Sequence, residues 1–377
     1  MELVLPYGRA ALRFESGDRD IEVLHAPLLP PPRPVAELLD EAMSAQRPLV
    51  AAGARVTVIV SDATRNEPRE EFLQALRRHL PAVRWTLAIA TGTHGPCQVG
   101  ELGLSKGVLS GVTIINHDGH APRDLVELGV TAAGTPMRVH RCVVEAELVI
   151  LTGCIRPHYF AGFGAGAKAI FPGLGEATAI RINHRFKTAP GSRAGIVDGN
   201  PCRADLEEAV RMVRTPTFLL NGVTSPDYHV RAIVTGDVER AFREGCELAR
   251  PWFTVRARRA PAVIASDALP VTASLYQAAK IFAAVAPLVE PHGTVVVAAE
   301  CPEGVGPLEI VNEAILRIGI LPRMPVGVRL VLVSGMSREF VSQTLVEYAE
   351  SIDTVIGQTN RLLVIPKASQ LLCHGSE

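Results

Sequence analysis

The chain has 377 residues, of which 47% are hydrophobic and 20% are charged, a balance typical of globular proteins rather than disordered ones. Its formal net charge of −1 excludes a broadly basic surface of the kind that binds nucleic acid or anionic membranes. No segment offers about 18 uninterrupted apolar residues, so we expect no membrane span.

The cysteines and the N-terminal residues indicate the cellular compartment in which we expect the protein. Seven cysteines are dispersed without a CxxC pair, which disfavours a disulfide framework and the usual structural zinc sites. Cys154 is expected to be a buried thiol, since free cysteine often packs as a small hydrophobe. The first residues, broken by Pro6 and Gly8, do not have the pattern of a signal peptide, and we expect a cytoplasmic protein.

Short β-branched runs alternate with helical spacing, the pattern of an α/β fold with largely parallel sheets. Four apolar strands, each followed by a polar loop, are predicted at Val56–Val60, Leu87–Ala90, Val112–Ile115 and Leu148–Leu151. Ligands of open α/β sheets bind at the carboxyl ends of parallel strands. The loops that follow these strands are therefore the predicted place of a functional site.

The chain beyond these strands is predicted to continue into a second domain. Helical spacing covers Pro68–His79, Glu176–Phe186 and Cys202–Val213. The pattern loosens around Arg250–Pro261, so we predict an N-terminal cofactor-binding domain of residues 1–255 and a smaller α/β domain of residues 256–377. The second domain is predicted to hold the strands Ala262–Ala265, Gly293–Ala299 and Val328–Ser334, and the helices Ala273–Ala284, Leu308–Ile318 and Glu339–Glu350.

The segment Thr152–Gly175, TGCIRPHYFAGFGAGAKAIFPGLG, surrounds Lys168 with glycines. Backbone N–H groups suited to phosphate are expected at Gly162, Gly164 and Gly166. The spacing matches neither a P-loop nor a dinucleotide fingerprint. Flanking apolar residues indicate a desolvated Lys168, which would be a competent nucleophile toward carbonyl carbon. A tight structural turn with this lysine in solvent is the alternative.

Three histidines, His94, His158 and His184, fall near the same predicted edge. Imidazole titrates near neutral pH and serves as acid, base or metal ligand. Two histidines that face one carbon from opposite sides would suit racemisation, and a third would suit a metal such as nickel, copper or zinc. Their spacing alone does not assign these roles, and a structural role for each is the alternative.

Two polar groups complete the candidates. Asp62, Thr64 and Arg65 follow the first strand, where an arginine fork matches carboxylate or phosphate and an aspartate accepts from ribose hydroxyls. The same side chains are equally suited to turn hydrogen bonds ahead of the next helix. In the second domain, Gln277 and Lys280 share one face of a predicted helix, which read alone indicates a solvated surface.

Taken together, these motifs resemble the lactate racemase family, whose members use a nickel-pincer nucleotide. The resemblance covers nearly the whole chain. The motifs that carry it, in chain order, are SDATR, TGTH, GCIRPHYFAGFGAGAKAIFPGL, the pair Asn183-His184, and SLYQAAK. It implies two α/β domains with the active site in the cleft between them, and a racemase or epimerase that acts at C2 of a small 2-hydroxy acid by hydride transfer.

The resemblance also implies a role for each candidate residue. The cofactor would be a pyridinium-3-thioamide-5-thiocarboxylic acid mononucleotide carrying nickel, bound covalently to Lys168, with His184 as a nickel ligand. His94 and His158 would be the acid/base pair. Substrate contacts are implied for Arg65, Tyr276, Gln277 and Lys280, the last also with a catalytic role. Ribose and phosphate contacts are implied for Asp62, Thr64, Gly162, Gly164 and Gly166. The implied partners are the 2-hydroxy acid and cofactor-maturation enzymes.

Two departures from the family pattern concern the substrate. Asn66-Glu67 follows Arg65, where lactate-acting members have proline, and Gly95–Cys97 replaces a basic residue expected after His94. We therefore hypothesise a 2-hydroxy acid that is larger or more polar than lactate. Two other functions stay open: a zinc-dependent hydrolase or lyase that uses the histidines, and a cofactor-binding protein without turnover.

Overall fold

The computed structural model describes residues 2–357 and 359–376. The strands are β1 Glu2–Tyr7, β2 Ala10–Glu15, β3 Asp20–Val23, β4 Arg55–Ser61, β5 Arg84–Ala90, β6 Val112–Asn116, β7 Leu125–Val130, β8 Pro136–His140, β9 Leu148–Ile155, β10 Pro157–His158, β11 Gly162–Phe163, β12 Thr217–Thr224, β13 Val230–Gly236, β14 Thr254–Arg258, β15 Ala260–Ser266, β16 Val289–Ala298, β17 Arg329–Val333, β18 Glu347–Ala349, β19 Arg361–Ile365 and β20 Leu372–Ser376.

The α-helices are α1 Val35–Ala45, α2 Arg69–His79, α3 Lys106–Leu109, α4 Cys142–Glu145, α5 Ala177–Asn183, α6 Pro201–Arg211, α7 Val238–Phe253, α8 Leu275–Val285, α9 Arg338–Val341 and α10 Asp353–Ile356. Short 3₁₀ helices include Gly166–Ala169 and His184–Thr188, and Ile310–Ile320 is a π-helix. The α/β class and the largely parallel sheets predicted from the sequence are confirmed.

The chain forms two compact units, the first of which is residues 29–252. Its sheet has the order β13-β12-β9-β4-β5-β6, and the neighbouring strands are parallel except for β13, which is antiparallel to β12. The four strands predicted from the sequence are confirmed as β4, β5, β6 and β9, of which β6 lies at the edge of the sheet. All eight residues of β9 are buried, as expected for a central strand covered on both faces.

Helix α2 shows how local sequence fixes the elements of this unit. Acidic side chains lie in its first turn and basic ones in its last, which complements the helix dipole. Phe72 and Leu76 recur at helical spacing and are buried in a cluster with Val58 and Leu87 of the sheet. The predicted helix at Pro68–His79 is thus confirmed from Arg69, and its start lies directly after the loop that carries Asp62.

The second unit combines residues 2–28 with residues 253–376. Its sheet is parallel throughout, in the order β18-β17-β16-β15-β19-β3. The division differs from the predicted one, which placed residues 1–28 with the N-terminal domain. The reason is long-range: β3 pairs with β19 across more than 300 residues, and Leu5 and Phe14 of the β1–β2 hairpin join this unit's core.

One predicted helix in this unit is wrong. The stretch Glu339–Glu350 is helical only in α9, and β18 then pairs with β17 at the edge of the sheet. The apolar residues of so short a run do not separate helix from strand, and pairing with β17 decides for a strand at Glu347–Ala349. Within the described residues, no helix is long and apolar enough to cross a membrane.

Candidate active site at the carboxyl edge of the first sheet

Three neighbouring strands of the first unit deliver the candidate acid/base residues. Strand β4 lies between β5 and β9, and all three run in the same direction. The loop after β4 holds Asp62, the loop after β5 holds His94, and β9 leads into His158. Their carboxyl ends therefore meet at one edge of the sheet, as the sequence predicted.

His94 is held by the carboxylate of Asp62. The His94 Nδ1 atom lies 2.8 Å from Asp62 Oδ2, and the amide of Thr64 donates to Asp62 Oδ1 at 3.0 Å, with its hydroxyl donating to the same oxygen. Burial raises the pKa of Asp62, but the hydrogen bonds from His94 and Thr64 outweigh it and lower that pKa to about 2. An ionised carboxylate only accepts, so Nδ1 of His94 carries the proton and Nε2 is left as an acceptor.

The turn that carries Asp62 is held by Arg69, a residue whose role was not apparent from the sequence. Its buried guanidinium donates to the carbonyl oxygens of Ser61 at 2.9 Å and Arg65 at 2.6 Å, and also to that of Asp62. Three carbonyls are thus held by one planar fork. The turn hydrogen bond from Thr64 to Asp62, the structural alternative considered above, is also present.

Replacing Asp62 with asparagine should weaken His94 as a base, because an amide can present N–H to Nδ1 and favour the wrong tautomer. We expect kcat to fall by about 10²–10⁴-fold, the usual worth of positioned acid–base catalysis.

Because the pKa of Asp62 is lowered, its contribution to stability is present above pH 3.8 and is lost as the pH falls toward about 2. In acid unfolding followed by circular dichroism, the fall in the free energy of unfolding between pH 3.8 and about 2 should be smaller in D62N than in the wild type.

Thr57→Val is the matched control, since it removes a buried hydroxyl hydrogen bond to Cys142 O from β4 and leaves the bond between Asp62 and His94 in place. A D62N enzyme as active as T57V would contradict this role for Asp62.

The glycine-rich segment is shaped by packing within the protein. Gly162 and Gly166 have φ values of +75° and +64°, and a Cβ on either would overlap Ile196 O or the Phe242 ring. The amide of Gly164 donates to Arg156 O at 2.8 Å, and that of Gly166 to Asn221 Oδ1 at 3.0 Å. These two N–H groups are therefore not free for the phosphate contact predicted from them.

Lys168 lies on the 3₁₀ helix that follows these glycines. Burial and the positive charges of Arg203 and Arg65 lower the pKa of its amine to about 7. Its Nζ lies 5.8 Å from the centre of the Phe160 ring. At neutral pH a large fraction of this amine is uncharged, the form that acts as a nucleophile.

The ring of Phe160 brings His158 and His184 near Lys168. Ring centroids are 4.7 Å apart for His158 and Phe160, and 5.0 Å apart for Phe160 and His184. Burial and nearby cations, Lys168 first among them, lower the pKa of His158 well below its ordinary value. The amide of Ala161 donates to His158 Nδ1 at 3.3 Å, so the neutral ring carries its proton on Nε2.

His184 begins the 3₁₀ helix after α5. Burial lowers its pKa to about 4, with smaller effects from Lys168 and Lys187. Its Nδ1 lies 3.2 Å from Asn183 Oδ1, an oxygen that only accepts, so Nδ1 is protonated and Nε2 holds a free lone pair. A neutral imidazole with an open Nε2 is the usual state of a histidine metal ligand.

Arg203 is a second residue that sequence reasoning missed. Its side chain is 1% exposed, donates from Nε to Ala161 O at 3.2 Å and from Nη2 to Phe163 O, and stacks on Phe242. Its Nη1 has no hydrogen-bond partner and lies 3.9 Å from Glu207 Oε1. The signal was present in Asn200-Pro201, which caps and starts α6 and places Arg203 on its buried first turn.

The remaining candidates belong to the second unit. Tyr276, Gln277 and Lys280 lie on α8, and Lys280 Nζ donates to Gln277 Oε1. The prediction that Gln277 and Lys280 share one helix face is confirmed.

All seven cysteines are free, and Cys154 is buried, with the pKa of its thiol raised by burial.

Comparison with known proteins identifies the family to which this chain belongs. Residues 7–195, half of the chain, match the family described as the lactate racemase N-terminal domain. The chain belongs to the lactate racemase family.

Two curated relatives are named lactate racemase, an isomerase. The protein of Thermoanaerobacterium thermosaccharolyticum is 28% identical over 320 residues, which cover 80% of this chain and 75% of that protein. The protein of Lactiplantibacillus plantarum is 28% identical over 260 residues, which cover 67% and 61% respectively.

Solved structures support the same fold. The lactate racemase apoprotein of Thermoanaerobacterium thermosaccharolyticum has a TM-score of 0.84 at 23% identity, covering 99% of this chain and 100% of that one. A protein from Thermotoga maritima has a TM-score of 0.66 at 18% identity, covering 91% and 98%. The fold described above is therefore shared with both of these proteins.

Proposed function

We propose that this protein is a racemase or epimerase of a small 2-hydroxy acid, acting at C2 with a nickel-pincer nucleotide held by Lys168 and His184. The observation that carries the proposal is the cluster around Phe160, in which an amine with a pKa of about 7 and an imidazole with an open Nε2 face one ring. Membership of the lactate racemase family supports the same activity.

The residues present fit such a cofactor. The uncharged fraction of Lys168 can form a covalent bond to a carbonyl-type carbon. Arg203 and Arg65 add positive charge near Lys168 that suits a phosphate group. In the part of the chain that the structure describes, no group of three or more His, Cys, Asp or Glu side chains is placed to hold a metal. One imidazole, His184, suits a metal whose other donors belong to an organic ligand.

When bound, this cofactor would supply the hydride acceptor that turns C2 of the substrate into a carbonyl carbon. The chain itself moves the hydroxyl proton. His94, with Nδ1–H tied to Asp62, has Nε2 ready to accept that proton, and the Asp62 carboxylate balances the imidazolium that forms. For the opposite enantiomer His158 is proposed to accept the hydroxyl proton at Nε2, which requires its own ring proton to move to Nδ1 and the 3.3 Å contact with the amide of Ala161 to break. In each direction the accepting histidine starts neutral, and a protonated histidine returns a proton to the oxygen of the product.

Substrate recognition is proposed for Arg65 and for three residues of α8. The exposed Arg65 offers a planar fork to the carboxylate, and Tyr276, Gln277 and Lys280 are proposed as further contacts, Lys280 with a catalytic role as well. Asp62 and Thr64 are already bonded to His94 and to each other, so any ribose contact would use their remaining lone pairs.

A substrate other than lactate remains our hypothesis. Asn66 and Glu67 follow Arg65, where the family resemblance implies a proline directly after the arginine. Glu67 accepts from Ser61 Oγ at 2.9 Å, and its Oε2 has no hydrogen-bond partner. Burial raises the pKa of this carboxyl. A kinetic screen in which lactate is far better than every larger or more polar 2-hydroxy acid would contradict the hypothesis.

The proposed function is tested by coexpressing the chain with cofactor-maturation enzymes and incubating it with single enantiomers of 2-hydroxy acids labelled with deuterium at C2. We expect the opposite enantiomer to form with its deuterium retained, measured by chiral chromatography and mass spectrometry. Loss of the label to solvent would indicate proton abstraction at C2 and would contradict hydride transfer. A loaded chain that racemises none of these acids would be a cofactor-binding protein instead.

A further inference from the structure

The amide of Asn183 is fully enclosed between α5 and α6. Its residue is 0% exposed. Its Nδ2 donates to Asp205 Oδ2 at 2.7 Å and to Cys202 O at 3.2 Å, and its Oδ1 lies 3.2 Å from His184 Nδ1. Every polar atom of this side chain is therefore used, and each of its two ends faces a different kind of group.

The orientation of the amide follows from the chemistry of Asp205. A carboxylate only accepts hydrogen bonds, so the NH₂ end of Asn183 must face Asp205 and the oxygen must face His184. An amide oxygen also only accepts, so His184 must carry its ring proton on Nδ1. The lone pair of Nε2 is then the one left open.

Asp205 is itself held by a rigid turn between β7 and β8. The hydroxyl of Thr131 donates to Oδ1 at 2.5 Å, and that of Thr135 donates to Oδ2 at 2.8 Å. The amide of Thr135 donates to Thr131 Oγ1 at 3.0 Å, which directs the hydroxyl proton of Thr131 toward Asp205. All three residues are buried, so solvent does not compete for these bonds.

We propose that Asn183 and Asp205 are positioning residues that lock His184 in the Nδ1–H tautomer and so keep Nε2 open for a metal. The proposal rests on the proposed function in taking His184 as the nickel ligand. Outer hydrogen bonds of this kind orient metal-binding histidines and fix their tautomer. In this chain the Thr131–Thr135 turn orients the carboxylate of Asp205, which orients the amide of Asn183. That amide in turn sets the tautomer of His184.

The tautomer is measured directly on the chain without cofactor, by two-bond ¹H–¹⁵N correlation spectra of ¹⁵N-histidine protein at neutral pH, with His184→Gln to assign the signal. We expect Nδ1–H in the wild type and loss of that single tautomer in Asn183→Leu. Thr57→Val is the control, since it removes a buried hydroxyl that donates to Cys142 O at 3.0 Å elsewhere in this unit. It should leave the His184 signal unchanged.

A wild-type His184 in the Nε2–H form would overturn the proposal whether or not the Asn183→Leu chain folds. An Asn183→Leu chain that keeps the wild-type Nδ1–H signal would overturn it too.

A second measurement separates this inference from the proposed function. In chain coexpressed with maturation enzymes, we expect Asn183→Leu to keep the mass increase on Lys168 while its nickel affinity falls about 10–100-fold in competition with a chelator. Unchanged nickel retention would overturn the proposal. A wild type without any mass increase would instead contradict the proposed function, and the tautomer spectrum would still decide on Asn183.

Discussion

Replacing Lys168 with alanine is expected to abolish both cofactor attachment and racemisation. The amine is the only group of this residue that can form the covalent bond, and alanine supplies no substitute. Intact mass and nickel content of chain coexpressed with maturation enzymes measure the effect. The wild type should gain the mass of the cofactor with nearly one nickel per chain, and K168A should gain neither.

The exposed Lys106 provides a control in the same unit, and Lys106→Ala should load like the wild type. Wild-type chain that stays unmodified and nickel-free under conditions that load a known family member would refute the central assignment. The histidines would then have to be tested as zinc ligands.

Lys168 should destabilise the chain that lacks the cofactor. Its pKa is lowered from 10.5 to about 7, so between these pH values the unfolded chain binds more protons than the folded chain. Stability therefore rises with pH across this window, and the folded state is penalised at and below its lower end. Lys168→Met should raise the free energy of unfolding at pH 7 and remove this slope, as measured by urea unfolding. Lys106→Met should do neither.

The second large effect is expected for the two histidines. His94→Gln and His158→Gln should each lower kcat by about 10²–10⁴-fold while the mass increase and nickel content stay as in the wild type. The equilibrium constant of a racemisation is one, so kcat/KM must fall equally in both directions. The loss of either histidine should therefore slow the racemisation of both enantiomers by the same factor.

Rapid quenching distinguishes the two variants. With one histidine left, only the enantiomer whose hydroxyl faces it can lose its proton, so the 2-keto acid should be trapped from one enantiomer in H94Q and from the other in H158Q. Trapping from the same enantiomer in both variants would show that the histidines do not act as opposed bases. Full racemase activity in either variant would remove that residue from the mechanism.

The sequence was sufficient for features that depend on local pattern. The apolar runs of β4 and β5 predicted strands of a largely parallel sheet, and the polar loops after them placed Asp62 and His94 at one edge. The i,i+3 relation of Gln277 and Lys280 was equally local. The flanking apolar residues also indicated a desolvated Lys168, which agrees with its lowered pKa.

Features that depend on contacts distant in sequence were not predictable in this way. The bond between Asp62 and His94 joins two loops 32 residues apart. The burial of Arg203 is visible only once α6 lies against the glycine-rich segment. The amides of Gly164 and Gly166 looked free because their acceptors, a carbonyl across a hairpin and Asn221 on β12, are supplied by tertiary structure.

The pairing of β3 with β19 has a consequence for how the chain is made. A ribosome releases residues 29–252 as a continuous stretch, whose own sheet can close before synthesis ends. Residues 20–23 have no partner until residues 361–365 emerge. At about 5–20 residues per second the N-terminal strand waits roughly 6–23 s after the first unit is complete, while residues 253–365 are made. During this time an unpaired edge strand is open to chaperones and to aggregation.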